Sequence, residues 1–410
     1  MIFCLAGLAL NAFTLAPAYE FIERGQTDFM DLYAAGKLAF TSDLYTPARV
    51  LTTEAQSEGR YSKTRLFMRL PCFAPFYWPF AQLPYRIASP LWEGLCALAI
   101  IAFAVAWPSG KRWVTVTACC WSLPLLMTLV EGQDIGFVLL AVAISALLTR
   151  RKRPGAAGIV ASLCLAKFHL FVLIPVWICA RRQWRFARGL VAGCAALGVL
   201  SFIAGGWAWP VQYLTLLREP SANPYFEVMP NLHSLLAGIP HSGLLEFGGI
   251  CTLACPVWLA SRNGRGEYGL AAALTAGVLA APHAYMADGA LLIPAMLLVI
   301  KRPCESVITV AKLYMLTPVQ WALLMTGIAM PVRIGLVGLL GALASGKRSV
   351  DRLGTGQQTG SQPSLHLASS TGPRSTGLLD LLVGRDDLNA RRLRPMEPLR
   401  FRRRIWYADF

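Results

Sequence analysis

Gln26-Thr27-Asp28-Phe29-Met30-Asp31-Leu32-Tyr33-Ala34-Ala35-Gly36-Lys37-Leu38 is an acidic, aromatic stretch set directly after an N-terminal apolar run. About ten further apolar runs follow it, at lengths suited to membrane helices. In so apolar a chain a carboxylate just outside the membrane is costly, and such groups serve an ion, a substrate or a proton. Asp28 and Asp31 are three residues apart, so a helix would put both on one face.

The bulk composition agrees with a membrane reading. The chain has 410 residues, 55% of them hydrophobic and 15% charged. A soluble protein would carry about 25% charge. The net charge of +16 comes from short basic clusters between apolar runs. That pattern reports orientation in the bilayer and attraction to anionic lipid, and it excludes the basic, aromatic-interleaved stripe of a nucleic-acid binder. Most of the eleven cysteines, Cys96, Cys119, Cys120, Cys164, Cys179, Cys194, Cys251 and Cys255 among them, lie inside apolar runs and read as small hydrophobes. No CxxC pair suggests a thiolate metal site. Residues 1–18 lack the basic n-region of a signal peptide and read as a first membrane helix, which the choice of initiator Met could clip.

The basic clusters set the topology. They are Lys111-Arg112, Arg150-Arg151-Lys152-Arg153, Arg181-Arg182 with Arg185 and Arg188, Arg262 with Arg265, Lys301-Arg302 and Lys347-Arg348. If all face the cytoplasm, each interval between them must leave and return. The interval 113–149 holds two spans around an outer turn at Glu131-Gly132-Gln133-Asp134. The interval 155–180 has only about 25 residues between two basic clusters, so it is expected to fold as two half-length helices turning at Lys167-Phe168-His169. The interval 266–300 repeats the pattern, with Ala281-Pro282-His283-Ala284-Tyr285-Met286-Ala287-Asp288 at its turn. Spans are also expected at 88–107, 186–206, 243–260, 305–325 and 328–345. Residues 19–72 read as a long first outer loop, followed by a short apolar segment to Pro84 that re-enters the membrane or lies at its interface.

The fold expected is therefore an all-α polytopic membrane domain over residues 1–345, with about twelve transmembrane helices, some half-length, and both termini inside. No internal repeat stands out. Residues 346–410 turn to Gly, Ser, Thr, Gln and Pro and end in Arg400-Phe401-Arg402-Arg403-Arg404, the composition of a disordered basic cytoplasmic tail.

This threading uses only apolar runs and Lys/Arg clusters, yet it gathers Asp28, Asp31, Gln133, Asp134, Lys167, His169, His233, His283 and Asp288 at outward-facing turns. Singly, each reads as a snorkelling or helix-bridging side chain. Together they describe a site. A carboxylate there can take a proton from a hydroxyl. Lys167 with His283 or His169 can hold an anion. With a phosphate as leaving group one carboxylate is enough, unlike the paired carboxylates of glycoside hydrolysis.

These residues also carry a resemblance. The chain resembles the integral-membrane glycosyltransferases of the C-type superfamily, specifically glycosyltransferase family 87, the polyprenol-phosphate-mannose-dependent group formerly filed as a domain of unknown function. The likeness covers about residues 20–300. It rests on Asp28-Phe29, Tyr33-Ala34-Ala35-Gly36-Lys37-Leu38, Leu44-Tyr45, Pro71, Pro75, Pro79, Leu83-Pro84-Tyr85, Gly132-Gln133, Ala157-Gly158, Ala166-Lys167, Ser234-Leu235, Ala281-Pro282-His283 and Asp288. The Asn often seen after Gly-Gln in the family is Asp134 here, and the Tyr usual before the late Asp is Ala287.

The resemblance implies transfer of a hexose, mannose before others, from a polyprenyl-phosphate donor to a glycan or glycolipid acceptor, with inversion. Asp28 is the implied general base and Asp31 the secondary acid. Lys167, His283 and Arg69 would hold the donor phosphate, with Tyr33, Gln133, His169, His233 and Asp288 lining the site. The implied setting is the bacterial inner membrane with the site on the periplasmic face. Membrane lipids are the other partners, and no metal, cofactor or nucleic acid is expected. The rival readings are a transporter or lipid flippase, which would place its polar groups near the midplane, and a non-catalytic relative of the enzymes.

Overall fold

The computed structural model describes residues 2–16, 27–58, 66–108, 111–219, 225–263, 266–299 and 306–345, and among these no strand occurs. The elements are α1 (Ile2–Leu15), α2 (Phe29–Leu38), α3 (Pro47–Glu58), a 3₁₀ turn at Pro71–Phe73, α4 (Ala74–Ala81) and α5 (Tyr85–Ala106). Next come α6 (Arg112–Trp121), α7 (Leu123–Val130), α8 (Ile135–Arg150), α9 (Pro154–Ala161), a 3₁₀ segment at Ser162–Phe171, α10 (Ile174–Arg181) and α11 (Trp184–Gly205). The rest are α12 (Trp209–Leu216), a 3₁₀ turn at Phe226–Val228, α13 (Leu232–Leu236), α14 (Ser242–Asn263), α15 (Gly266–Ala280), a 3₁₀ turn at Met286–Leu291, α16 (Leu292–Val299), α17 (Ser306–Leu316), α18 (Pro318–Met325) and α19 (Met330–Ser345).

Among the described residues, four helical stretches are long and apolar enough to cross a membrane: Tyr85–Ala106, Pro154–Phe171, Trp184–Gly205 and Ser242–Arg262. Two bent pairs raise that to six if each counts as one span: α6 with α7, bent by 69°, and α17 with α18, bent by 51°. Each bend falls at a residue preceding a Leu-Pro or Pro step. Ser122 leaves the helical region and accepts from Leu125 N, while Pro124 follows; Thr317 is extended ahead of Pro318. The remaining apolar helices, such as Ile135–Arg150 and Glu267–Ala280, are shorter than a full span.

The 155–180 interval does turn back on itself. Lys167 leaves helical geometry at φ −132° and ψ 47°, breaking the rise from Pro154, and α10 follows. Backbone contact with α11 gives the direction. A Cβ on Gly189 would lie 1.9 Å from Gly155 O, and one on Gly193 would lie 2.3 Å from Ser162 Oγ. The contacts climb together along both segments, so α9 and α11 run parallel, and Pro154 and Trp184 share one end of the bundle. The same tight contact forbids a side chain at Gly158, whose Cβ would meet Phe186 O at 2.1 Å.

That end is the basic one. Arg150 bonds Pro108 O and, at 3.1 Å, Glu267, and Arg181 Nη1 donates to Ser261 O at 3.3 Å. Gln133 and Asp134 lie at the other end of α8, about 24 Å along its axis from Arg150.

The segment expected as the first outer loop carries helices of its own. Its described part forms α2 and α3, and nearly all of α2 is buried. The reason is its aromatic content: Phe29 stacks on Trp92 at 5.4 Å and on Tyr85 at 5.8 Å, while Tyr33 meets Tyr85 edge-on at 5.2 Å. Gly36 lets α2 lie against α4, because a Cβ there would meet Tyr77 O at 2.7 Å. An aromatic core of this kind stabilises the segment by roughly 0.5–1.5 kcal/mol per ring pair beyond the area it buries. Residues 17–26, 59–65 and the 346–410 tail fall outside the described residues.

Candidate active site

Asp28 precedes the first turn of α2, but its side chain makes no cap bond. It is half-buried, and its Oδ2 accepts from Gln133 Nε2 at 2.6 Å. The turn that delivers Gln133 is fixed from beneath. Trp92 Nε1 donates to Gly132 O at 2.6 Å, and Gly132 takes φ +64°, where a Cβ would press on Phe29 at 2.9 Å. Gln133 Nε2 also donates to Glu131 Oε2 at 2.9 Å, and its Oε1 accepts from Lys167 Nζ at 3.1 Å. Two carboxylates on one side and an ammonium on the other leave the amide a single sensible orientation.

Lys167 stands at the break in the half-helix and is buried. Its Nζ donates to Asp288 Oδ1 at 3.0 Å, and Asp288 Oδ2 accepts from Tyr285 N at 2.9 Å, capping the 3₁₀ turn at Met286–Leu291. A continuous polar chain therefore runs Asp28–Gln133–Lys167–Asp288 across three of the outward turns expected from sequence.

Beside it lies a second ionic group. Arg69 gives Nε and Nη2 to the two oxygens of Asp134, each at 2.8 Å, and Tyr77 adds its hydroxyl to Asp134 Oδ2 at 3.0 Å. Asp31 receives only the third nitrogen of Arg69, at 3.6 Å, and its buried Oδ1 has no hydrogen-bond partner. The electrostatics divide accordingly. Arg69 holds Asp134 down at about 2 against its burial. Burial pushes Asp31 up to about 7; Arg69 pulls against that rise and the charge of Asp134 adds to it. The two carboxylates hold the Arg69 guanidinium well above its usual range, against the effect of its burial.

The histidines separate into two places. His169 and His283 meet edge to face at 5.9 Å, and His283 packs on Tyr285 at 4.8 Å. Burial pulls His283 down to about 4, so at neutral pH it is an uncharged imidazole that can donate or accept one bond but adds no positive charge. His233 instead pairs with Glu246, Nδ1 to Oε1 at 2.7 Å, outside the Asp28 chain. Tyr33 is also elsewhere: its hydroxyl donates to Leu83 O at 2.6 Å within the aromatic core.

Sequence reading had left Glu131, Tyr77 and Trp92 without a role and had placed Asp134 only at the outer side. Glu131 and Asp134 were signalled by their position on either side of Gly132-Gln133. Tyr77 and Trp92 were not signalled, because an aromatic in an apolar run looks like core.

A membrane protein that is helical over its described residues and joins a half-exposed carboxylate to a buried charged cluster belongs to a class that holds transferases and transporters alike. The model of glycosyltransferase family 87 matches residues 70–300, more than half of the chain, and the chain belongs to that family. It is thus a membrane glycosyltransferase by family. The match begins after the Asp28 stretch and takes in Gln133, Lys167, His283 and Asp288. No curated protein and no solved structure matches the chain.

Proposed function

We propose that the chain transfers a hexose, with mannose the first sugar to test, from a polyprenyl-phosphate donor to a hydroxyl of a glycan or glycolipid acceptor. The observation that carries this reading is the chain of contacts from Asp28 through Gln133 to Lys167, which joins a half-exposed carboxylate to a buried ammonium. In the reaction the acceptor oxygen attacks the anomeric carbon while its proton passes to Asp28. The anomeric C–O bond breaks, and the lipid phosphate leaves with the electron pair, so configuration inverts. Lys167 meets the charge of that phosphate, and a neutral His283 can add one hydrogen bond. Arg69 is engaged on Asp134, so it acts on the phosphate only through the field of the cluster. The reading calls for no metal or cofactor, because the donor arrives activated.

The same proposal places about twelve membrane passes, several half-length, in a bacterial inner membrane, with both termini cytoplasmic and the acidic end facing the periplasm. The concentration of Arg150, Arg181 and their neighbours at the opposite end supports that orientation. The test is incubation of membranes containing the protein with radiolabelled polyprenyl-phosphate-mannose. Label is expected in an acceptor fraction. Label that stays on the donor across lipid-linked and soluble acceptors would remove the transferase reading and return the transporter one.

A further inference from the structure

A polar cavity lies beside α2. Its volume is about 350 Å³, and Tyr33, Lys37, Gln56, Ser57, Tyr85 and Arg86 contribute to its lining. Lys37 is nine residues beyond Asp28, about half a turn away around α2, so this cavity opens on the face opposite the acid network. Lys37 Nζ donates to Ser57 Oγ at 3.1 Å and stands 4.9 Å over the Tyr33 ring. No carboxylate lines the cavity among the described residues, while two cations do. Partial burial pulls the Lys37 ammonium below the usual lysine range, so its charge gains from an anion placed beside it.

What adjoins the cavity narrows the ligand. From Arg86, helix α5 presents Ile87, Leu91, Leu98, Ile101 and Val105 as an exposed stripe on one face. Cations at the head of an apolar stripe on this 22-residue helix match an amphiphile with an anionic head. The Tyr33-to-Lys37 motif singled out in the sequence has no part in the Asp28 chain, and the cavity is where its two polar side chains go. We propose that this cavity binds the phosphate of an anionic membrane lipid whose acyl chains lie along the α5 stripe, a site separate from that of the sugar donor.

The experiment titrates full-length protein in a neutral detergent with dihexanoyl phosphatidylglycerol, dihexanoyl phosphatidylcholine or inorganic phosphate, followed by calorimetry. Phosphatidylglycerol is expected to bind at least about tenfold more tightly than the other two, and Lys37→Gln or Arg86→Gln to weaken it about five- to tenfold, the scale of one charge-assisted contact at a partly exposed site. Lys37→Arg should keep the preference, which guards against a Gln variant that misfolds. Equal binding of phosphatidylcholine would mean annular lipid only. Inorganic phosphate binding as tightly as phosphatidylglycerol would mean a free-anion site. Unchanged binding in both Gln variants, or loss of the preference in Lys37→Arg, would also overturn the proposal. The readout does not depend on sugar transfer, so its failure and failure of the transferase reading can be told apart.

Discussion

Gln133 and Asp28 are 105 residues apart and joined by a 2.6 Å hydrogen bond, with the amide of Gln133 also accepting from Lys167 at 3.1 Å. The carboxylate proposed as base and the ammonium proposed for the phosphate are therefore tied to one side chain. Gln133→Leu removes both contacts at similar volume. Transfer by the variant is expected to fall about ten- to a hundredfold, with the loss in turnover larger than the loss in donor affinity, because the base is no longer aimed. Single-turnover rates beside donor binding check this, and a purely affinity-based loss would mean Gln133 only lines the site.

Asp134 and Asp31 share Arg69 unequally, and their substitution should show it. Asp134→Asn strips the guanidinium of its bidentate partner. Breaking such a buried pair costs about 3–5 kcal/mol, with the lower end expected because Asp31 stands 3.6 Å away to take over. Asp31→Asn should cost far less at neutral pH. Asp31 titrates at about 7 in the fold against an ordinary value of 3.8, so the unfolded chain gives up its proton first. The stability Asp31 contributes is then full below 3.8 and lost as pH rises through 7. Thermal unfolding in detergent at pH 4.5 and 7.5 should show the wild type losing stability across that interval relative to Asp31→Asn. A parallel pH course for the two proteins would mean Asp31 is ionised throughout.

Much of this site could be read from the chain. Turns at Gln133, Lys167 and Asp288 on one side followed from placing the basic clusters at the other, and those three side chains do meet. The half-length helices were legible because about 25 residues between two basic clusters leave no room for two full spans. What could not be read was which partner each charge takes. Arg69 has both Asp31 and Asp134 in reach, and it takes Asp134, which Tyr77 also holds, as its bidentate partner. His233 has the spacing of a site residue, but Glu246 from the start of α14 claims it. The packing of α2 within the 19–72 segment was not legible either, because its rings meet Tyr85 and Trp92 of α5, which sequence periodicity does not link to it.

Lys167→Ala tests the anion clamp. It should weaken donor binding about ten- to a hundredfold, the scale of a lost charge-assisted contact. It should also lower thermal stability, because Asp288 is left buried with its charge uncompensated. Lys167→Arg restores the charge but not the compact head, so stability should recover more than donor affinity does. Unchanged dependence on donor concentration in both variants would move the phosphate away from Lys167.

The measurement closest to the central claim is a paired one on purified protein, donor affinity and single-turnover transfer for Asp28→Asn and Asp31→Asn. Asp28→Asn keeps size and polarity and removes the proton acceptor, so donor should bind as in the wild type while transfer falls about a hundred- to ten-thousandfold. Asp31→Asn should keep transfer within about tenfold, because its carboxyl faces Arg69 and not the Gln133 amide. An active Asp28→Asn beside an inactive Asp31→Asn would contradict the assignment of the base, and two fully active variants would contradict the account of this stretch as the catalytic one.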